Sequence, residues 1–439
     1  MQPLTDTGNS FPEWARNLTL YEVNLRQYTP EGSIRAFRAH LPRLKELGVG
    51  IFWFMPVQPV GLKNRKGSLG SYYSIRDYCA VDAAFGTIGE FRELVDEIHS
   101  MGMYVLLDWV ANHTAWDHHW VTGHPDYYRR NEAGEVFPPF PDWADVVGLD
   151  YSKPELRSAM IGCMKFWLST AGIDGFRCDM AHLVVTDFWE EARAELQSLK
   201  PEIYMLAETD HYDLLEKAFH SSYDWRVFHA INEVAQGKIT VQELSGTIQE
   251  QLEWYPPQAS LMRFISNHDE NSWQGSEIER LTFSLEAMTV LYFTLPGIPL
   301  IYSGQESGNY RRLSFFDKDC IDWKEDKMRG LFTRLAGLRS SNPALWSAGG
   351  GSGYRSLNSD SPEKVLSFLR SGGNNQVLVL LNLGYETVKF TLKQDFSPDP
   401  WTDLFNPGMK VIIAENPCFE LPAWGYRVFY RPAGIFSGS

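Results

Sequence analysis

Four stretches of the chain end an apolar run in carboxylates, histidine or arginine: Asp108-Trp109-Val110-Ala111-Asn112-His113, Gly175-Phe176-Arg177-Cys178-Asp179, Leu206-Ala207-Glu208 and Ser266-Asn267-His268-Asp269. Charged side chains are seldom buried without partners, so one such stretch suggests an active site, with a structural ion pair at a loop mouth as the alternative. Four of them point to a single site at the C-terminal ends of parallel strands, where βα barrels carry their chemistry. Carboxylates gathered with a guanidinium and histidines are a residue set for proton transfer. Arg177 and Asp179 stand two apart on one strand and share a face, and the cation is expected to keep that carboxylate ionised.

Elements of the right kind stand where they must to bring these ends together. Residues 50–55, Gly-Ile-Phe-Trp-Phe-Met, are uninterruptedly apolar, the mark of a strand buried on both faces of a parallel sheet. Further strands are expected at 18–23, 103–108, 173–177, 203–208, near 223–224, at 261–265 and at 299–302. Between them fall helices over 33–47, capped by Ser33 and ended by Gly48, and over 89–101, 155–170, 186–199, 241–254 and 277–293. This rhythm of roughly eight βα units predicts an α/β fold, a (β/α)8 TIM barrel. Residues 114–150, crowded with Trp, His, Asp and Pro and lacking any period, read as an excursion between a strand and its helix. Past Asn342-Pro343 a flexible turn at 349–353 leads to strands at 364–369, 376–383, 387–392 and 426–430 with no helices between. The chain therefore divides into barrel (1–111 and 151–343), a short insert (112–150) and a C-terminal all-β sandwich domain (344–439).

Composition narrows the ligand. The net charge is −15 with no basic run, which disfavours nucleic acid and anionic membrane surfaces and suits a neutral ligand. Aromatic residues reach 14%, enough for a large core and also for flat rings on which the apolar faces of sugars pack. Trp116, Trp120 and Trp143 in the insert are candidates for that second role, alongside plain packing. Five scattered cysteines make neither a disulfide framework nor a zinc site. Adjacent His118 and His119 are expected to point apart on an extended chain, so they suggest no metal, and no cofactor is expected. Residues 1–14 are polar, without the apolar centre of a signal peptide, and no run reaches membrane-spanning length; the expectation is a cytoplasmic protein.

Taken together and in order, the motifs resemble the α-amylase superfamily of glycoside hydrolases over essentially the whole chain. Asp108 to His113 resembles that family's third-strand motif, Gly175 to Asp179 its fourth, Glu208 its fifth-strand glutamate and Asn267-His268-Asp269 its seventh. Residues 50–56 and 297–306 are similar to its second- and eighth-strand signatures. The excursion sits where the family inserts its domain B, and the terminal module matches its domain C. The resemblance implies that Asp179 is the nucleophile, Glu208 the acid/base in a drier setting that raises its pKa, and Asp269 a transition-state stabiliser. It implies that Tyr73 stacks on the sugar, that His113 and His268 donate to its hydroxyls, and that Asp108 and Arg177 complete the substrate-binding set. His182 falls where the family often contacts the leaving-group sugar; a satisfied loop histidine is the alternative.

Two departures qualify it. Many members bind calcium between barrel and domain B, and here Asn112 matches one ligand while Gly148 and Leu183 replace two others, so no metal is expected at that position. Gly70 stands where many exo-acting α-glucosidases carry aspartate. What the resemblance implies is a retaining hydrolase of α-1,4-linked glucose oligomers, amylase or maltodextrinase-like. The alternatives are an α-glucosyl transferase or α-glucosidase using the same residues and, more remotely, a non-catalytic carbohydrate-binding barrel. Oligomeric state is not legible.

Overall fold

The computed structural model describes residues 11–256, 258–347 and 353–432; the polar start of the chain (1–10) and all but Gly353 of the turn expected at 349–353 lie outside the described residues. Eight parallel strands, Leu20–Val23, Ile51–Phe54, Tyr104–Trp109, Gly175–Cys178, Tyr204–Ala207, Ser221–Tyr223, Ser260–Arg263 and Ile298–Tyr302, follow one another around a closed barrel. The period-2 alternation of strands sorts their side chains. Leu20, Ile51, Trp53, Leu106, Leu206 and Tyr223 fill the lumen, while Tyr21, Val23, Phe52, Phe54 and Val105 face the helices outside. The same parity sends Glu22, Asp108, Arg177 and Glu208 inward, one step above the apolar plug. Asp108 is the register partner of Arg177, so the two charges enter the lumen side by side. Only glycine fits at position 175, because an added Cβ would lie 1.8 Å from the Tyr204 carbonyl oxygen.

Helices 186–199 and 241–254 stand as expected, the latter closed by a capping box between Thr240 and Glu243. Two others break. The helix expected at 33–47 begins under Ser33, whose Oγ accepts from Ala36 N at 3.2 Å. It then splits into Ile34–Arg38 and Leu41–Leu47, since Pro42 lacks an N–H and its ring crowds the carbonyl four residues back. The run 277–293 is interrupted at Thr282, whose φ is +51°, giving Glu277–Leu281 and Leu285–Thr294. Helices Trp225–Ala235 and Lys327–Ser341 were not expected; Gly330 and Gly337 inside the second weaken its helical signal.

The insert is more ordered than its lack of period suggests. His113–Ala115 pairs antiparallel with Val146–Gly148, too short a ribbon to show a period, and a helical turn spans His119–Gly123. His118 and His119 do not point apart. Because the second opens that helix, the rings stack 4.4 Å from each other, and His118 Nδ1 accepts from Trp120 N.

Six antiparallel strands make the main sheet of the C-terminal domain, in the order Gly353–Ser356, Val365–Gly372, Asn375–Asn382, Tyr426–Pro432, Pro400–Asp403, Lys410–Ile412. Leu378, Leu380, Trp401 and Phe429 pack against the small sheet Val388–Thr391/Cys418–Leu421 through Phe390 and Leu421. The opposite face, with Phe368, Val377, Val379 and Leu381, joins the barrel's own core.

Candidate active site

Arg177 is the hub. Fully buried, it places Nη1 3.0 Å from Asp108 Oδ1 and 3.1 Å from Asp179 Oδ1, and Nη2 2.8 Å from Glu208 Oε2. Its Nε donates to the Tyr223 hydroxyl at 3.0 Å, and its guanidinium carbon lies 4.8 Å from the centre of the Trp53 ring. Trp53 Nε1 and the Tyr73 hydroxyl both donate to Asp108 Oδ2. Glu208 Oε2 also accepts from Met180 N at 2.9 Å, a bond made possible by the left-handed turn at Met180, φ +39°.

Three carboxylates thus share one guanidinium, and full ionisation would leave net negative charge on a dry floor. Burial pushes the Asp108 and Asp179 carboxyls upward, the Glu208 charge adds to the effect at Asp179, and Arg177 opposes it. Arg177 therefore lowers the Asp179 carboxyl against the opposing effects of burial and of Glu208, and titration belongs to the coupled cluster rather than to one residue.

The rim works in the opposite sense. His268 Nδ1 lies 2.6 Å from Glu22 Oε1, and its Nε2 lies 2.6 Å from the Tyr73 hydroxyl and 3.3 Å from Asp269 Oδ2. Burial disfavours the imidazolium, but Asp269 and Glu22 on either side outweigh it and hold His268 well above its ordinary pKa. Burial would likewise raise Asp269, yet the His268 charge and hydrogen bond hold it below the usual carboxylate range. Burial thus favours the protonated form of Asp108 and Asp179 on the floor, whereas His268 favours the ionised form of Asp269 at the rim.

Above these groups opens a cavity of about 450 Å³ whose lining includes Asp179, Glu208, Asp269, Tyr73, His113 and Met180. One wall is Trp143, packed on Phe140 at 4.7 Å. The other is Trp273, half exposed at 51%, with Phe315 and Phe316 at 5.3 and 5.7 Å. Lys66 spans the entrance, 3.2 Å from Asp145 Oδ1 and donating to the Asp142 carbonyl. Tyr73 stacks on the His268 ring at 5.5 Å.

Of the residues singled out in the sequence, His113 lines the cavity with Nε2 already engaged at 3.2 Å by the Tyr73 carbonyl and Nδ1 by Asn112. Burial, with that carbonyl opposing, lowers its pKa to about 4, so it stays neutral. His182 is outside the lining and stacks on His211 at 5.2 Å. Trp120 is buried among Tyr78, His118 and Tyr127 and is a packing residue; Trp116 binds the Ala144 carbonyl. Glu22, Trp273, Phe315, Phe316 and Lys66 escaped the sequence reading. A carboxylate inside the apolar strand Leu-Tyr-Glu-Val was the available signal for Glu22.

The residues do not fit the calcium position that the resemblance implies. Asn112 Oδ1 is buried without a partner, but Gly148 is tied into the ribbon, and the Arg129 side chain runs 3.6 Å from where its Cβ would be. Arg129 Nε donates to the Leu149 carbonyl, so a cation is already supplied there. Among the described residues no group of three His, Cys, Asp or Glu is placed to hold a metal ion. No helix among them is long and apolar enough to cross a membrane.

A family model described as the alpha amylase catalytic domain matches residues 10–143 and 140–361, and one for the maltogenic amylase C-terminal domain matches 354–428. The chain is 28% identical to alpha-amylase MalA of Haloarcula japonica over 395 residues, 85% of this chain but 56% of that protein. It is 26% identical to the maltogenic alpha-amylase of Bacillus acidopullulyticus, covering 90% of this chain and 70% of that protein. The chain thus spans little more than half of the first of these relatives. Among solved structures, the maltogenic alpha-amylase AmyB of Thermotoga neapolitana is 32% identical with a TM-score of 0.82, over 95% of this chain and 97% of that one. An alpha-amylase of Lactobacillus plantarum is 28% identical with a TM-score of 0.86, over 95% and 99%.

Proposed function

Since the chain belongs to the α-amylase family of glycoside hydrolases, we propose that it cleaves α-1,4-glucosidic bonds of maltooligosaccharides and related α-glucans with retention of configuration. The observation that carries this reading is the pairing of Asp179 and Glu208 on the two arms of Arg177, on the floor of the cavity. The mechanism requires a proton on Glu208 and none on Asp179. Glu208 donates it to the departing glycosidic oxygen while Asp179 Oδ attacks the anomeric carbon, forming a glycosyl ester as the glycosidic bond breaks. Glu208, now a carboxylate, takes a proton from water. The water oxygen then displaces Asp179, which leaves as a carboxylate, and the acid is restored.

Asp269, kept bare by His268, accepts from sugar hydroxyls more strongly as charge develops on the ring. Tyr73 offers its face to the same sugar. The aromatic walls of Trp143 and of Trp273 with Phe315 supply flat surfaces for neighbouring glucose units. The insert of 37 residues (114–150) is a small wall for a groove, which supports short oligosaccharides over intact starch.

The test is a product profile on maltose, maltotriose, maltoheptaose, starch, sucrose and trehalose, with proton NMR of the first product. The α-anomer released first from maltotriose or maltoheptaose, at higher efficiency than from starch, is expected. Products longer than the substrate would assign the same residues to glucosyl transfer. Release of the β-anomer first would overturn the two-step mechanism.

A further inference from the structure

Where the barrel's outer wall meets the C-terminal domain lies a second set of buried charges that takes no part in the cleft. Arg370, on the strand Val365–Gly372, is fully buried. Its Nη1 donates to the Thr294 carbonyl at 2.7 Å, while Nε and Nη2 have no partner among the described residues. Its cross-strand neighbour is Tyr354, whose hydroxyl is buried and also without a partner among the described residues. Arg263, at the end of the seventh barrel strand and 1% exposed, donates Nε to the Pro296 carbonyl at 2.7 Å and pairs with Asp224. Its Nη2 is again unpartnered among the described residues.

Arg339, equally buried and nearby, shows what satisfaction looks like: its nitrogens donate to the carbonyls of Leu18, Leu345 and Arg16 and to the Ser347 hydroxyl. Arg263 and Arg370 leave N–H groups unused, and among the described residues Asp224 alone is paired with either of them. Burial, with Arg370 as the second cause at Arg263, lowers both guanidinium groups to about 9, still above neutral pH, so both remain charged. Buried unpaired charge and unfilled donors are costly. A groove of about 540 Å³, whose lining includes Gln249, Glu253, Pro296, Tyr354, Arg355 and Ser356, shares Pro296 and Tyr354 with this cluster, while Arg263 and Arg370 lie behind its lining.

We propose that Arg370, Arg263 and Tyr354 bind a small inorganic anion, chloride or an oxyanion such as phosphate, that fastens the barrel to the C-terminal domain. Such an anion accepts the free N–H and O–H groups in charge-assisted hydrogen bonds and neutralises the charge that Asp224 leaves uncompensated. The reading is independent of what the cleft hydrolyses.

The test follows the melting temperature of the full chain after dialysis into sodium HEPES. Sodium chloride, phosphate or sulfate is then added at constant ionic strength. A saturable rise of about 3 °C is expected, and the arm with the lower midpoint identifies the anion. Arg370→Met is expected to abolish the response, and Tyr354→Phe, which keeps the ring packed on Phe368 (5.2 Å between centroids), to raise the midpoint roughly tenfold. If Arg370→Met fails to fold, the midpoint in Tyr354→Phe and anomalous scattering from crystals grown in bromide decide. No saturable rise in the wild type, a response unchanged by the substitutions, or bromide absent from the cluster would overturn the proposal and leave water as the occupant.

Discussion

The two buried arginine sites of this molecule are opposites. At the mouth of the barrel one guanidinium, Arg177, faces three carboxylates; at the domain junction, among the described residues, Arg263 is paired with one carboxylate, Asp224, and Arg370 with none. Burial disfavours charge at both, so each must correct an imbalance from outside the protein. At the carboxylate-rich site burial favours uptake of a proton, which a reaction can use. On our proposal, the arginine-rich site retains an anion, which holds two domains together. The same residue type under the same desolvation yields a reactive floor or a structural clasp according to which sign is in excess.

The sharpest break of that comparison is to empty the mouth of its proton traffic. Glu208→Gln is expected to lower kcat by about 10²–10⁴ and Asp179→Ala by more, with melting temperatures at or above wild type, because each removes a charge from an over-acidic cluster. Turnover within tenfold of wild type in either variant would show the roles to be misassigned. At the domain junction, by contrast, Arg370→Met should move stability and leave kcat within about twofold. A large kcat change there would erase the distinction between the two sites.

A smaller effect is expected at the rim. Glu22→Gln removes the partner of His268 Nδ1 and is expected to lower kcat/KM roughly tenfold, the worth of one hydrogen bond to a charged group. The sign of the pH effect follows from His268 being raised by Asp269 and Glu22. Its contribution to stability is full below the unfolded pKa and disappears as pH climbs through the folded one. Melting curves between pH 6 and 10 should therefore lose stability at lower pH in Glu22→Gln than in wild type; coincident profiles would show that the dyad does not set the charge of His268.

Smaller again, Trp273→Ala should raise KM for maltoheptaose roughly threefold to tenfold, since it removes one aromatic wall of the cavity. The smallest expected effect is that of calcium. Treatment with EDTA followed by added calcium should shift the melting temperature by less than about 1 °C, because Arg129 lies where a ligand of that ion is expected. A clear calcium-dependent rise would show an ion site that these residues do not reveal.

The strand ends that carry Asp108, Arg177, Glu208 and Asp269 were legible because a charge closing an apolar run is improbable unless it is used. Barrel parity then makes Asp108, Arg177 and Glu208 converge, because their strands are consecutive neighbours, whereas Asp269 lies beyond its strand Ser260–Arg263. Glu22 has the same parity but lies within its strand, and one sequence cannot say that its carboxylate meets a histidine 246 residues away. Trp273 and Phe315 form one wall across a separation that no local pattern encodes, and the insert's ribbon is three residues per strand, shorter than any period needs to declare itself.

What the sequence alone determined was the barrel, the all-β domain after it and the set of groups at the strand ends, all consequences of hydrophobic period and local chain chemistry. The division of labour among the carboxylates was decided only in three dimensions. Whether Arg177 serves one of them or three, and whether a buried guanidinium finds carbonyls, as Arg339 does, or is left with free donors, as Arg370 is, depends on distances of a few ångströms between segments far apart in the chain. Coulombic and hydrogen-bond energies are set at that scale, and the tertiary fold sets those distances.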